Sequence, residues 1–252
     1  MRYYLFFFLL NIIPIFSWSG LTPSVRYFRS TLSGNFKTST GIASDLSKVS
    51  NQSMGADLKL HILGTNLRFR YEPLSYRSKL NVKQTFQFQG KSFNVGDSLN
   101  LDLEMNSFDF QYGLSKSSFM KSSFYLGSGL NIIQTKANIS GSRALTPLAS
   151  AEISEYLPMP YIVGNASYEF MKGWSLFGEY RWLDFSMFKN RLASKDLEVG
   201  IKYHMNAANV VGSNLFIGYK SRSQDLALDT GRNNPTIDLN HKGFIASYDF
   251  RF

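Results

Sequence analysis

The 252 residues include no cysteine. That absence excludes disulfides, thiolate metal sites, a cysteine nucleophile and acylation at a lipoprotein cysteine. Charged residues make up only 18% of the chain, too few for a disordered polypeptide and more than a helical membrane protein carries. Beyond residue 19 no apolar run approaches the ~20 residues that a membrane helix needs, so any membrane residence would have to come from strands. There is no low-complexity tract, internal repeat or second domain, and the length fits one domain. Lys and Arg outnumber Asp and Glu by nine, but they are scattered. No helix-turn-helix, zinc-finger or RNA-binding-sheet motif accompanies them, so no nucleic-acid partner is expected. No cluster has metal-ligand spacing, and no cofactor or metal is expected.

What the chain does contain is aromatic and periodic. Its 22 Phe, 14 Tyr and 3 Trp suit strands and interface girdles. Residues 1–19 read as a cleaved export signal: Arg2, an apolar run from Tyr3 to Phe16, then Ser17-Trp18-Ser19 as small residues around a cleavage site. Residues 20–252 then form a single domain. At the other end, Phe244, Ala246, Tyr248, Phe250 and Phe252 fall on one face of an extended chain, with Gly243, Ile245, Ser247, Asp249 and Arg251 on the other. An amphipathic closing strand that ends on Phe resembles that of Gram-negative outer-membrane β-barrel proteins. The resemblance implies that Phe244, Tyr248, Phe250 and Phe252 act as the signal read by the barrel assembly machinery. It also implies that the apolar face meets lipid, with outer-membrane lipid and lipopolysaccharide as partners. The net positive charge suits contact with their phosphates.

Ten segments alternate with period two: 24–36, 57–72, 76–89, 98–114, 120–138, 160–171, 173–187, 196–205, 211–223 and 241–252. In two of them the apolar set changes parity, which predicts β-bulges at Leu63-Gly64 and Asn106-Ser107. The connections alternate long (37–56, 90–97, 139–159, 188–195, 224–240) and short (73–75, 115–119, 172, 206–210). Bacterial outer-membrane barrels show that alternation, with an even strand count. Thr146-Pro147 predicts the start of a short surface helix in the fifth connection. The expectation is an all-β, antiparallel, up-and-down transmembrane β-barrel of about ten strands, with eight as the alternative.

A barrel of that size holds side chains rather than a wide pore. With the polar face inward, the lumen gathers Arg68, Arg70, Lys79, Lys83, Asp102, Glu104, Glu179, Arg181, Glu198, Lys202, Lys220, Arg222, Asp249 and Arg251. Both signs are present, and charges withdrawn from water need partners, so an ion-pair network centred on Arg68, Arg70, Glu104, Glu179, Arg181, Glu198 and Lys202 is expected. A second reading sets His61 beside Asp57, Asp102 and Glu104 near the outer mouth, where the imidazole could act as a general base. Omptin-like proteases are similar in architecture. Their close Asp-x-Asp and Asp-x-His pairs are replaced in this chain by Asp102-x-Glu104 and Asp57-x3-His61. Outer-membrane lipid hydrolases use His-x-Ser, which none of the three histidines matches. His204 reads as a satisfied lumen histidine, His241 as a solvated one, and Trp174 and Trp182 as interface anchors. The expected role is non-enzymatic, structural or surface-binding. A narrow, porin-like channel for small solutes and a hydrolase at the outer mouth are the alternatives.

Overall fold

The computed structural model describes residues 20–250 except 39–40, 63–64, 84, 89–90, 96, 119–120, 144–145, 188–189, 208–210 and 228–235. Among the described residues there are twelve strands and no helix: β1 (Leu21–Thr38), β2 (Gly41–Ile62), β3 (Thr65–Val82), β4 (Phe86–Phe88), β5 (Lys91–Phe93), β6 (Ser98–Ser118), β7 (Ser122–Arg143), β8 (Thr146–Met171), β9 (Trp174–Met187), β10 (Asn190–Ala207), β11 (Val211–Ala227) and β12 (Thr236–Phe250). Ten of these close into a barrel in the order β1-β12-β11-β10-β9-β8-β7-β6-β3-β2, and β4 and β5 form a small hairpin outside the ring. Closure comes from β1, which pairs antiparallel with both β2 and β12, from Ser24 opposite Asp249 to Lys37 opposite Thr236 in the latter case. A closed ring leaves no strand edge open. The all-β antiparallel barrel of ten strands is therefore observed, and the eight-stranded alternative is not.

Leu21 and Phe250 share one end of the barrel, the termini end, with the strand ends Ile62 and Thr65, Ser118 and Ser122, Met171 and Trp174, and Ala207 and Val211. At this end Lys172-Gly173 makes a tight turn between paired Met171 and Trp174. Gly173 has φ +80°, a conformation that a side chain makes costly.

Side-chain polarity reverses part-way along the strands. In β6, Phe108, Phe110, Tyr112 and Leu114 face outward and are exposed, opposite inward Ser107, Asp109 and Gln111. Further toward the far end of the same strand, Leu99, Leu101, Leu103 and Met105 face inward and are buried, while Glu104 faces outward. In β3, Phe69 and Tyr71 point outward and Arg70 and Glu72 inward; then Leu74 and Tyr76 turn inward and Arg77 and Lys79 outward. On the outer face the change falls at Tyr27/Arg29, Met54/Gln52, Phe108/Asn106, Ile132/Gln134, Leu197/Lys195, Tyr219/Ser221 and Phe244/Lys242. An apolar belt thus surrounds the termini half, and a polar surface surrounds the far half.

This reversal corrects several sequence expectations. No bulge lies at Asn106-Ser107, because β6 pairs with β7 in unbroken register from Ser98 to Ser118. The apolar set changes parity there because it changes from facing out to facing in. The bulge expected at Leu63-Gly64 lies outside the described residues; the expected strand 57–72 is the end of β2 and the start of β3, which pair with each other from Ala56–Tyr71 to Ile62–Thr65. A register shift does occur in β2, between Leu46 and Ala56. The expected turn at 73–75 lies inside β3. The expected strand 76–89 is the far half of β3 running toward the β4–β5 hairpin. The long connections at 37–56 and 139–159 are mostly strand. The expected helix after Thr146 is the start of β8, whose backbone groups pair with β7 from Arg143–Thr146 onward.

Candidate functional site: the barrel lumen

The termini half of the lumen holds a lattice of ion pairs supplied by eight strands. Arg68 on β3 is central: it donates to both oxygens of Asp57 on β2, and its Nη1 donates to Glu179 on β9 at 2.8 Å. Arg181, two residues beyond Glu179 and so on the same face, donates to Glu179 at 2.7 Å and to Asp109 on β6 at 2.6 Å. Arg26 on β1 reaches Glu198 on β10 at 2.7 Å. Lys220 and Arg222 on β11 clasp Glu72 at 2.7 and 3.1 Å, and Arg222 also meets Asp196 at 2.9 Å. Lys59 pairs with Asp249 of β12 at 2.9 Å. Arg70 sits among Asp57, Glu179 and Glu198 at 3.4–3.8 Å. Tyr161 of β8 donates its hydroxyl to Asp109. Burial of such groups is tolerable only because each charge faces its opposite.

Above the lattice the lumen becomes a hydrocarbon plug. Leu32, Leu74, Leu99, Leu101, Leu103, Met105, Ile133, Ile139, Met159 and Leu183 converge there, all buried. Between the tiers, Ser30 Oγ lies 2.7 Å from the Tyr76 hydroxyl, which lies 3.0 Å from His241 Nδ1. Packing is tight lower down as well. A Cβ on Gly113 or Gly127 would come within 2.6 Å of the Tyr125 hydroxyl oxygen, so these inward glycines make room for that ring.

The seven residues expected to form the lumen network divide. Arg68, Arg70, Glu179, Arg181 and Glu198 meet in the lattice. Lys202 faces inward nearer the termini end, with its ammonium 4.4 Å from the centre of the Phe177 ring. Glu104 is on the outer surface, because β6 presents its leucines to the lumen at that height. Lys79 and Asp102 are outward for the same reason, and Asp102 bonds Arg77 at 2.6 Å. Arg251 and Phe252 lie outside the described residues, as does the expected signal segment 1–19. Phe244, Tyr248 and Phe250 are exposed on the outer face of β12.

The four residues of the hydrolase reading do not meet. His61 is at the termini rim, where its amide donates to Gly20 and its Nδ1 lies 2.9 Å from Asn66 Oδ1. Asp57 belongs to the lattice, and Asp102 and Glu104 are on the far outer wall. His204 is hydrogen-bonded at both nitrogens, to Ser175 and Asn214. His241 corrects the solvated reading: it is 1% exposed, beside Tyr76. Arg26, Glu72 and Asp109 are lattice members that the sequence reading did not single out, and Asp196, on the polar face of its segment, joins them; Glu72 and Asp109 share the parity of the inward Arg70 and Gln111. Outside the belt, Asp238 raises the pKa of Lys37 and Asp102 that of Arg77, through a hydrogen bond first and charge second.

A groove of about 580 Å³ lies on the outer wall, where Gly164, Ala166 and Gly178 leave a dip between Phe124, Leu126, Tyr180 and Leu197.

A closed ten-stranded barrel with an apolar outer belt, charged interior and all-antiparallel ladder has counterparts among solved structures. It matches the outer-membrane protease OmpT of Escherichia coli over 94% of this chain and 98% of that one, with TM-score 0.59 and 10% identity. The fold is that of Gram-negative outer-membrane β-barrels. The translocator domain of the autotransporter NalP of Neisseria meningitidis also aligns, over 97% and 93% of the two chains at 8% identity and TM-score 0.47. Neisserial surface protein A aligns over 93% and 98% at 13% identity and TM-score 0.36. No protein-family model matches the sequence, and neither does any curated protein.

Proposed function

We propose that this chain is an integral outer-membrane β-barrel with a structural or surface-binding role, sealed along its axis and without catalytic activity. The observation that carries the reading is the two-tier lumen, an ion-pair lattice in series with a hydrocarbon plug. The plug side chains are all buried, which argues against the channel alternative. The likeness to OmpT at 10% identity extends to the fold alone, and the separation of His61 from Asp102 and Glu104 argues against a hydrolase at the mouth.

The apolar belt supports membrane insertion. On β7 it runs from Phe124 to Ile132, matching the ~9–11 residues that cross a bilayer at a tilt. In this reading the termini end faces the periplasm, and the far half stands above the outer leaflet with its connections available to lipopolysaccharide or other surface ligands. The outward Phe244, Tyr248 and Phe250 of β12 would engage the barrel assembly machinery. The test is direct. Protein folded into lipid vesicles should show heat-modifiable gel mobility, co-fractionate with outer membranes in cells, and give no conductance steps in planar bilayers. Steady single-channel steps would overturn the sealed reading, and recovery as a detergent-free monomer would overturn the membrane reading.

A further inference from the structure

We infer that the outer wall at β12–β1 binds the phosphate of a membrane lipid headgroup, with Arg29 and Lys242 as its core. The inference rests on the membrane-spanning reading and adds a ligand to it. Both side chains are exposed on the outer face. In the ladder Arg29 stands opposite Phe244, and Lys242 opposite Thr31, so the two cations are diagonal neighbours on adjacent strands. Cα separations of ~7–8 Å at such positions let long side chains converge on one anion.

Their surroundings separate them from the other outer cations. Arg77 bonds Asp102, Lys83 lies 2.5 Å from Asp45, Lys37 pairs with Asp238, and Lys136 stands in register opposite Glu104. The ladder neighbours of Arg29 and Lys242 are instead Gln52, Thr31, Ser221 and Phe244. These offer hydroxyls, an amide and a ring, but no carboxylate, and among the described residues neither cation has an ion-pair partner. Lys48 and Lys195 are exposed two strands away on either side of β12, and they extend the positive field.

Height decides the ligand. Arg29 and Lys242 are the first polar residues beyond the apolar belt on their strands, and directly below them are Tyr27, Tyr219 and Phe244. Phe244 is 70% exposed and packs edge-on to Tyr219 at 6.0 Å. A cation pair above exposed rings matches a phosphate joined to acyl chains, since basic groups at an interface attract anionic headgroups. A free phosphate would have no use for the rings.

The test uses the whole protein, folded in a zwitterionic detergent, with binding read by native mass spectrometry. The probes are lipid A bearing its phosphates, lipid A stripped of them, and inorganic phosphate. Arg29→Gln/Lys242→Gln should weaken binding of the phosphorylated form roughly thirtyfold, the combined effect of two basic groups at an anionic surface. Lys136→Gln on β7, across the barrel, should leave it unchanged, and the charge-preserving Arg29→Lys/Lys242→Arg should retain it. Heat-modifiable mobility checks that each variant is folded. Equal binding by the Gln variant, or equal binding of the stripped lipid, would overturn the site. Displacement by equimolar inorganic phosphate would overturn the lipid as its ligand. Wild-type protein that inserts into vesicles but fails these comparisons defeats this inference alone. Failure to insert defeats the membrane reading and this inference with it.

Discussion

At the scale of single residues, the lattice is unequal. Arg68 makes four hydrogen bonds to two carboxylates on different strands. Arg70 makes one long hydrogen bond of 3.4 Å, to Glu179, and its Nε and Nη1 are without hydrogen-bond partners. Removing one member of a well-made buried pair strands the charges left behind, which costs about 3–5 kcal/mol. Removing a group that is itself poorly satisfied costs less, since its own desolvation is relieved as well. Arg68→Met is therefore expected to lower unfolding stability in vesicles by about 3–5 kcal/mol, and Arg70→Met by less than about 2 kcal/mol. Urea titration followed by tryptophan fluorescence reads both. Similar losses for the two would mean that proximity, not hydrogen bonding, governs the lattice. The sequence marked both arginines as inward, because each is flanked by an aromatic residue on the opposite face of β3. It could not rank them. Rank depends on which carboxylate arrives from β2, β9 or β10, and those meetings are set by ring closure.

At the scale of an element, β6 shows why alternation was legible and its meaning was not. The pattern Leu99-Leu101-Leu103-Met105 followed by Phe108-Phe110-Tyr112-Leu114 invites a bulge, because one oily face is assumed to have one environment. The unbroken β6–β7 register shows a straight ladder passing between two environments. Outside, lipid gives way to water; inside, ions give way to hydrocarbon. Side-chain parity alone cannot separate a bulge from a change of surroundings, so the sequence yields strand positions but not strand lengths. A pair of substitutions on one face tests the boundary. Phe110→Arg places a cation within the belt and should cost about 2–4 kcal/mol, as at a bilayer midplane. Glu104→Gln, on the same face six residues away, should be within about 0.5 kcal/mol of wild type, as for an ordinary surface site. Leu99→Ala, inward and 2% exposed, should cost about 2–5 kcal/mol as a core truncation. If Leu99→Ala proved silent, the far half could not be a packed core.

At the scale of the whole molecule, two seals lie in series along one axis, and ions must pass both. The lattice is polar and can hydrate once its pairs are broken. The plug is apolar and excludes water by its packing. Opening either tier alone should therefore leave the barrel closed. Arg68→Ala/Glu179→Ala removes one cation and one anion together and keeps the lattice's net charge, with Asp57 still beside Arg26 and Arg70 and Arg181 still on Asp109, so the barrel should still fold. In planar bilayers it should remain silent, because the leucines above are intact. Leu74→Ala/Leu103→Ala thins the plug from two adjacent strands and should also be silent, because the ion pairs below still bridge the lumen. The fourfold combination should produce conductance steps, with heat-modifiable mobility showing that the protein is folded in each case. Steps from the lattice variant alone would show that the plug is no barrier, and the far half would then be a vestibule instead of a core. Silence from the fourfold variant would place the seal elsewhere in the lumen, with the tyrosines Tyr125 and Tyr161 as the next groups to truncate, since both rings fill space across the charged half.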